Sequence, residues 1–244
     1  MLTIIQVGDN PASNTYVRNK IKAIEQAGLE AKLIKLPETA TTKDVIVNVM
    51  CADVYSAAII VQLPLPDHID NAAVMAAIPP NKDIDGLHPH SHYKPLTPCA
   101  IMRWLREKRV ELEGKNVTIL GRSELVGKPL ANLMIDAGAT VTVCNSHTRE
   151  LKKNTHCVLG DIVVSAVGKI DTIVDDDVRC MGGQIFIDVG INRNSDGKLC
   201  GDISEYAKNR IMMCGSEFTP VPGGVGKWTV RELVLRLKEM EENV

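Results

Sequence analysis

The sequence predicts an α/β protein built on parallel sheets, and three observations support that fold class. Short apolar runs rich in Val, Ile and Leu, such as "AAIIVQL", "DIVVSAVG" and "QIFIDVGI", are typical of strands buried on both faces of a parallel sheet. Segments with helical periodicity alternate with these runs along the chain. Aromatic residues make up only 3 % of the 244 residues, so the cores must be aliphatic.

The first half of the chain is expected to alternate three strands with two helices. Thr3–Val7 forms the first strand, and a helix capped by Ser13 follows it and ends at Gly28. The next elements are a strand at 30–37, a helix at 41–53, a strand from 57 that stops at two prolines, and, after a loop, a helix at 99–108.

A charged segment, "REKRVELEGK" at 106–115, is the expected hinge between two domains. After it, "VTILGRSELVGKPLANLM" consists of four apolar residues, a turn between Gly121 and Gly127, and a helix entered through proline. The chain ends in an amphipathic helix whose apolar stripe can pack on the first domain. The predicted domains are 1–108 with the helix at about 229–244, and a Rossmann-like domain at 109–228, with a cleft between them.

Composition and charge exclude several classes of protein. A net charge of −2 and a pI near 6.3 give no electrostatic reason to expect nucleic acid or an anionic membrane as partner. The first residues lack a basic region, so no signal peptide is expected, and no segment has the length of a membrane span. Seven cysteines without a C-x-x-C pair predict no disulfide framework and favour a reducing, cytoplasmic location.

The turn between Gly121 and Gly127 predicts a phosphate-binding site, because the amides at a helix N-terminus favour anions. Its spacing is not G-x-G-x-x-G, so an ordinary α/β connection stays open. The following strand, "TVTVCNSHT", ends without the carboxylate that NAD-preferring sites place on the ribose. Arg122, Ser123 and Ser146 instead supply a cation and two hydroxyls suited to a ribose 2′-phosphate. These residues predict NADP rather than NAD.

Two polar features of the first domain are candidates for chemistry. Tyr16 and Lys20 stand four residues apart on the first helix and hence on one face, although a stacked pair on a solvated face is the alternative. The order of the motifs excludes the short-chain dehydrogenases, in which a Y-x-x-x-K pair follows the nucleotide-binding turn. Gln62 ends a buried strand and is therefore delivered to the carboxyl edge of the sheet, where α/β proteins bind ligands.

Three loops add further candidates. "NKDIDG" places Asp83 and Asp85 in a turn, where ordinary turn chemistry is the alternative. "HPHSH" places three histidines at alternate positions, which suits a metal in an extended segment, but a proline-rich loop would hold such ligands loosely. "TPVPGGVGKWT", with Gly223 and Gly224, allows the backbone to approach a planar or phosphorylated ligand closely.

Seven motifs occur in an order that resembles one family over nearly the whole chain. They are "VGDNPASNTYVRNK", "VQLPLP", "KDIDGLHP", "TILGRSELVGKPLA", "DIVVSAVGK", "IDVGIN" and "TPVPGGVG", and they resemble the methylenetetrahydrofolate dehydrogenase/cyclohydrolase family. The resemblance implies a homodimeric two-domain enzyme of one-carbon metabolism that binds tetrahydrofolate derivatives in its cleft. It also implies NADP-dependent oxidation of 5,10-methylenetetrahydrofolate and hydrolysis of the methenyl product to 10-formyltetrahydrofolate.

The resemblance assigns roles to single residues of both domains. Lys20 resembles the family's catalytic lysine, Tyr16 its ring-stacking tyrosine and Gln62 the amide that positions the lysine, while Asp85 resembles the carboxylate that hydrogen-bonds the pterin. The implied cofactor contacts are Thr97, Gly121, Arg122, Ser123, Gly127, Ser146, Gly190 and Ile191. Gly223 and Gly224 match backbone near the substrate, and no metal is implied.

Several departures from the family pattern keep other readings open. The segment that family members carry before the first strand is missing, and the loop after "DGLHP" is short, with His92 and Tyr93 in it. Asn145 replaces a histidine, and Lys227 and Trp228 follow the glycine loop. The alternatives are a dehydrogenase that has lost efficient hydrolysis, a catalytically weak folate-binding or nucleotide-binding protein, and a metal-dependent hydrolase built on "HPHSH".

Overall fold

The computed structural model describes residues 1–242, which form two compact units. The first unit contains Met1–Leu96 and the chain from Val230 onward, and the second contains Thr97–Thr229. Each unit has a parallel sheet joined by helical connections. The predicted α/β fold class is therefore confirmed.

The first unit is built on a three-stranded sheet of order β2-β1-β3. Its elements are β1 (Leu2–Val7), α1 (Pro11–Gln26), β2 (Ala31–Leu36), α2 (Thr42–Asp53), β3 (Ala58–Val61) and α3 (Asn71–Ala77). Neighbouring residues of a strand face opposite cores, so Ile5 and Ile59 pack in one apolar cluster while Ile4 and Ile60 pack in the other. Because β2 and β3 lie on opposite sides of β1, the strand order reverses there, which is where such sheets bind ligands.

Helix α1 begins earlier than the sequence predicts. Its cap is Asn10, whose side-chain oxygen accepts hydrogen bonds from the backbone of Ala12 at 2.9 Å and of Ser13 at 3.2 Å. The predicted cap at Ser13 is wrong because Pro11 already has the φ of a first helical residue, and Asn is at least as good a cap as Ser. The predicted end is confirmed, since Gly28 follows the helix with φ of +77°.

The second unit is built on a five-stranded parallel sheet. Its elements are α4 (Leu96–Glu107), β4 (Asn116–Leu120), α5 (Gly127–Asp136), β5 (Thr140–Cys144), α6 (Glu150–Leu159), β6 (Ile162–Ser165), β7 (Ile185–Asp188), the hairpin strands β8 (Asn192–Arg193) and β9 (Leu199–Cys200), α7 (Glu205–Met213) and β10 (Glu217–Phe218). The strand order is β10-β7-β6-β4-β5. This is a doubly wound sheet whose order reverses between β4 and β6, so the carboxyl ends of those strands border the expected ligand crevice.

The division between the units lies earlier in the chain than the boundary expected at residue 108. Helix α4 groups with the second unit because its Ile101 and Leu105 pack against Val117 and Ile119 of β4. The last helix, α8 (Val225–Glu242), likewise begins before the expected residue 229. Its Leu233 packs in the core of the first unit, as the apolar stripe predicts.

The cysteines lie in both units, one in the first and six in the second. All seven cysteines are free thiols. Burial raises the pKa of Cys144 and, more strongly, of Cys157, so both thiols stay neutral in their apolar surroundings. Within residues 1–242, no helix combines the length and the apolar character that crossing a membrane requires.

Candidate active site

Lys20 lies at the centre of a polar cluster in the first unit. It stands on the buried face of α1, in line with Val17 and Ile24, and only 3 % of it is exposed. A buried ammonium needs partners, and its Nζ donates to Gln62 Oε1 at 3.3 Å and lies 3.8 Å from Asp85 Oδ2. The Nζ atom also lies 4.9 Å from the centre of the Tyr16 ring. The structure thus brings together all four residues expected there.

Gln62 holds its oxygen toward the lysine because both ends of its amide have a partner. The residue directly follows β3, and its backbone N–H donates to Ile5 O at 2.8 Å, which extends the pairing with β1. Its side-chain Nε2 donates to Leu63 O at 2.6 Å, so Oε1 is the atom that faces Lys20. The carboxyl edge of the sheet therefore delivers an oriented amide acceptor, as the position of Gln62 after a buried strand predicts.

Asp85 sits on a tight turn that presents its carboxylate at the surface of the cluster. The side chain is 19 % exposed, so one side of it can meet a ligand. Its backbone oxygen accepts from Leu96 N at 3.2 Å. The next residue, Gly86, has φ of +72°, and a Cβ there would lie 2.6 Å from the Lys94 carbonyl, so a side chain at this position would push the turn apart. The turn is thus fixed on both sides of the carboxylate.

Asp83 has a different environment from Asp85, although the sequence places them in one motif. It is 1 % exposed, and its Oδ2 accepts from the His88 backbone at 2.7 Å. Among the described residues, its Oδ1 has no hydrogen-bond partner. Burial raises the pKa of Asp83 above that of an ordinary aspartate. Asp83 therefore holds the loop, whereas Asp85 faces the cluster.

Replacing Asp83 with Asn should make the stability less dependent on pH. The raised pKa means that, above the ordinary value near 3.9, the folded protein keeps a proton that the unfolded chain releases. Stability therefore falls as the pH rises through this window, and a neutral amide abolishes that fall. Urea unfolding at about pH 4 and about pH 7 gives the free energy of unfolding at each pH. The substitution of an exposed residue, Asp196→Asn, serves as control. If wild type and Asp83→Asn lost equal stability between these two pH values, the raised pKa of Asp83 would be contradicted.

The histidines of "HPHSH" do not form a metal centre with other ligands. The His88 Nδ1 atom accepts from the His90 backbone at 2.9 Å, which uses one of its possible ligand atoms. In the part of the chain that the structure describes, no three His, Cys, Asp or Glu side chains are grouped to hold a metal ion. The geometry gives no support to the metal-dependent hydrolase.

In the second unit, Gly121 and Gly127 permit the close approach that the turn after β4 requires. Gly121 has φ of +107°, and a Cβ there would lie 2.6 Å from Ala166 O at the end of β6. A Cβ on Gly127 would collide with the Gly121 carbonyl. Ser123 Oγ accepts from the backbone of Val126 at 3.2 Å, so this hydroxyl holds the turn and can still donate its own hydrogen.

A cavity of about 570 Å³ opens at the carboxyl ends of β4, β5 and β6. Gly121, Arg122, Ser123 and Ser146 line it, so the structure places four of the expected cofactor residues together. Lys169, from the loop after β6 and at the end of the motif "DIVVSAVGK", adds a cation to the cavity that was not among the expected cofactor contacts. The location is the reversal point of the sheet, where doubly wound proteins bind nucleotides.

The loop that carries Lys169 is fixed by Asp202, which the sequence analysis also missed. Asp202 is fully buried, and its Oδ2 accepts from the Ser165 hydroxyl at 2.7 Å and from the backbone of Val167 at 3.0 Å and Gly168 at 3.1 Å. Its Oδ1 accepts from Lys169 N at 3.0 Å. One carboxylate thus holds three consecutive backbone N–H groups at the cavity edge.

A second buried carboxylate fixes the loop after β7. Asp188 accepts from the backbone of Gly190 at 3.0 Å and of Asp202 at 2.9 Å, and burial raises its pKa. A Cβ on Gly190 would collide with the Asp202 carboxylate, so packing requires glycine at this position. Asn192 Nδ2 donates to Asp202 Oδ1 at 2.9 Å and links the two loops.

The remaining expected residues of the second unit lie outside the lining of that cavity. Thr97 Oγ1 accepts from the Thr229 hydroxyl at 3.4 Å. Ile191 is 63 % exposed, and Gly223 has φ of +107°. A Cβ on Gly224 would collide with the Pro220 carbonyl. Close backbone packing therefore explains the glycine at position 224, and a positive φ explains the glycine at position 223.

Comparison with known proteins gives both domains a family. The catalytic domain of tetrahydrofolate dehydrogenase/cyclohydrolase matches residues 1–85, and its NAD(P)-binding domain matches 95–243. The chain is 44 % identical over 260 residues to the bifunctional protein FolD of Aliarcobacter butzleri, covering 99 % of this chain and 88 % of that one.

Two solved structures that are similar to this chain belong to the same family. The chain is similar to the bifunctional enzyme FolD, a methylenetetrahydrofolate dehydrogenase/cyclohydrolase from Campylobacter jejuni, with a TM-score of 0.90, 36 % identity and coverage of 100 % of this chain and 88 % of that chain. It is also similar to the Trypanosoma brucei enzyme complexed with NADP cofactor and an inhibitor, with a TM-score of 0.91, 33 % identity and coverage of 99 % and 86 %. The chain belongs to the tetrahydrofolate dehydrogenase/cyclohydrolase family.

Proposed function

We propose that this protein catalyses both the NADP-dependent oxidation of 5,10-methylenetetrahydrofolate and the hydrolysis of the methenyl product to 10-formyltetrahydrofolate. The observation that carries the proposal is the buried Lys20, hydrogen-bonded to Gln62 and 3.8 Å from Asp85, in a chain whose two domains both match the family. Lys20 is the member of this cluster that can both take up and release a proton, which hydrolysis requires and folate binding alone does not.

The residues around the 570 Å³ cavity suit NADP. Gly121 lines the cavity just before α5, whose N-terminal amides favour anions such as a pyrophosphate. Arg122 and Lys169 supply positive charge, and Ser123 and Ser146 supply hydroxyl donors for the ribose 2′-phosphate. Bound NADP would supply the hydride acceptor for the oxidation. Asp202 keeps the Lys169 loop in place for that binding.

Tyr16 and Asp85 are proposed to hold the folate. The Tyr16 ring lies beside the lysine and offers an apolar face on which a flat pterin or aminobenzoyl ring can stack. The partly exposed Asp85 carboxylate can accept hydrogen bonds from the pterin N–H groups. Lys20 would then face the one-carbon unit, where hydrolysis requires proton transfer.

An assay in one cuvette tests the proposal. Purified protein is mixed with methylenetetrahydrofolate and NADP, and the absorbance of the methenyl product is followed as it appears and then decays. Appearance and decay together are expected of the bifunctional enzyme. Appearance of the methenyl product without accelerated decay would identify a dehydrogenase alone. If the methenyl product did not appear at all, the protein would be only a binding protein.

Asp85→Asn should reduce both activities together, by about 10-fold or more. The substitution keeps the shape but removes the charge that strengthens hydrogen bonds from the pterin, which is worth about 1.5–3 kcal/mol. Both reactions use the same bound folate, so the KM for folate should rise in each. Steady-state kinetics of the two half-reactions measure this, with Asp67→Asn, an exposed residue of another loop, as control. Full efficiency in either reaction would remove Asp85 from the site.

Two further parts of the proposal rest on the family resemblance and on composition. A homodimer is proposed because the family resemblance implies it. A cytoplasmic location is proposed because the seven cysteines are odd in number and free, which suits a reducing compartment.

A further inference from the structure

We infer that Arg236, on the last helix, is a positioning residue for the folate site, because it fixes the loop that carries Asp85. This inference rests on the proposed role of Asp85 in folate binding. Arg236 lies outside every motif that identified the family, and it is far from Asp85 in the sequence. Its contacts all lie within the first unit.

Arg236 is a buried cation whose direct hydrogen bonds go to the backbone of one loop. It is 6 % exposed and stands beside Leu237 in an apolar core. Its Nη1 donates to Ile84 O at 2.8 Å and to Lys94 O at 2.7 Å. Glu232, one helical turn earlier, is 3.9 Å from Nη2, which is an ion-pair distance but too long for a hydrogen bond. The strong contacts are therefore those to the loop.

The two carbonyls that Arg236 joins belong to the two limbs of the Asp85 loop. Ile84 immediately precedes Asp85, and Lys94 lies on the returning limb, whose carbonyl comes so close to Gly86 that a Cβ there would lie 2.6 Å away. The guanidinium carbon also lies 5.4 Å from the centre of the Tyr93 ring in the same limb. One guanidinium thus closes the neck of the loop by hydrogen bonding and by a cation–π contact.

The position of this neck sets where Asp85 stands relative to Lys20. Their charged atoms are 3.8 Å apart, beyond direct hydrogen-bond distance, so the carboxylate is held in place chiefly by its backbone. Binding sites tolerate errors of only about 0.5 Å in such groups. Without Arg236, the two limbs lose the donor that they share, and the buried carbonyl of Ile84 loses its hydrogen bond to the guanidinium. The expected result is a misplaced Asp85 and weaker folate binding.

The charge and shape of arginine both matter for this role. A lysine keeps the charge, but its ammonium lacks the rigid planar geometry that holds Nη1 between two carbonyls and keeps the guanidinium beside the Tyr93 ring. Arg236→Met removes charge and donors and keeps the apolar stem. The two substitutions should therefore form a series, with lysine between wild type and methionine. A residue needed only to fill space in the helix packing would give methionine the milder effect, because the neighbouring Leu233 and Leu237 pack in an apolar core.

A double-mutant cycle in the full-length protein tests the inference, with tetrahydrofolate as the probe. Arg236→Met is expected to raise the dissociation constant of tetrahydrofolate by about 10-fold and to leave that of NADP within about twofold, since NADP is proposed to bind the other unit. Lys238→Met, an exposed cation on the same helix, serves as control and should change neither constant.

The decisive comparison is made in an Asp85→Asn background. If Arg236 acts through Asp85, adding Arg236→Met there should change the dissociation constant by less than about twofold, so the two effects are non-additive. If Asp85→Asn weakens binding and Arg236→Met is neutral or fully additive, the inference is overturned while the proposed function stands. If Asp85→Asn itself has no effect, the role of Asp85 fails and the inference fails with it. Should Arg236→Met lose the cooperative urea unfolding of wild type, and so not be folded, Arg236→Lys carries the same cycle.

Discussion

Arg122→Ala is expected to weaken NADP binding by roughly 10- to 100-fold and to leave NAD binding almost unchanged. Arg122 lines the cavity at the reversal point of the second sheet, together with Ser123 and Ser146. A charge-assisted hydrogen bond to a phosphate is worth about 1.5–3 kcal/mol, which corresponds to that range of affinity. NAD lacks the 2′-phosphate, so it loses nothing when the guanidinium is removed.

Equilibrium titration of the two cofactors measures this selectivity directly. Lys115→Ala is the matched control, because Lys115 is exposed and precedes β4, at the end of the sheet opposite to the cavity. Its removal lowers the net charge equally and should leave both dissociation constants unchanged. Equal weakening of NADP and NAD by Arg122→Ala would show that Arg122 supports the loop rather than reads the phosphate. The predicted NADP preference would then lose its main residue.

The sequence could place three members of the cluster, Tyr16, Lys20 and Gln62, by local rules, whereas the role of Asp85 was implied only by the family resemblance. Residues four apart on a helix share a face, which places Tyr16 next to Lys20. A polar residue that ends a buried parallel strand reaches the carboxyl edge of the sheet, which places Gln62 there. The two rules meet in the structure, where Lys20 Nζ donates to Gln62 Oε1. Neither rule requires knowledge of the tertiary packing.

The residues that the sequence did not reveal act across long stretches of chain. Asp202 bonds Ser165, which is 37 residues away, and Arg236 bonds Ile84, which is 152 residues away. A single Asp after glycine or a single Arg in an amphipathic helix has no distinguishing local pattern. Their roles depend on which loops the fold brings to them, so only the structure shows them.

The cap of α1 was missed for a different reason. Asn10 and Ser13 are both favoured cap residues, and both precede an apolar helical pattern. The choice depends on where the backbone turns from extended to helical, and Pro11 makes that change at its own position. The sequence therefore contains the correct cap, Asn10, three residues before the Ser13 that was predicted.

Lys20→Met should abolish most of the hydrolysis while the dehydrogenation survives. Hydride leaves the methylene carbon directly, so this step needs a well-placed substrate but no acid or base from the protein. Hydrolysis requires water to lose a proton as it attacks the methenyl carbon, and a ring nitrogen must gain one before the carbon–nitrogen bond breaks. Lys20 is the proposed group for these transfers, because it is held at 3.3 Å from Gln62 Oε1 within the cluster.

Methionine suits the position, since Lys20 is 3 % exposed and its stem packs beside Val17 and Ile24. The substitution removes the buried ammonium without opening a large cavity, so the fold should be kept. We expect hydrolysis to fall by at least about 100-fold, the low end for lost general acid–base catalysis, and methenyltetrahydrofolate to accumulate. The exposed Lys22→Met on the same helix is the control.

The informative quantity is the ratio of methenyl formation to methenyl decay, measured in the same reaction for wild type, Lys20→Met and Lys22→Met. Disturbed folate placement lowers both rates and leaves the ratio alone, whereas loss of a proton-transfer group lowers only the decay. An unchanged ratio in Lys20→Met would therefore show that another group catalyses the hydrolysis, and Lys20 would keep only a role in placing the folate beside Gln62 and Asp85.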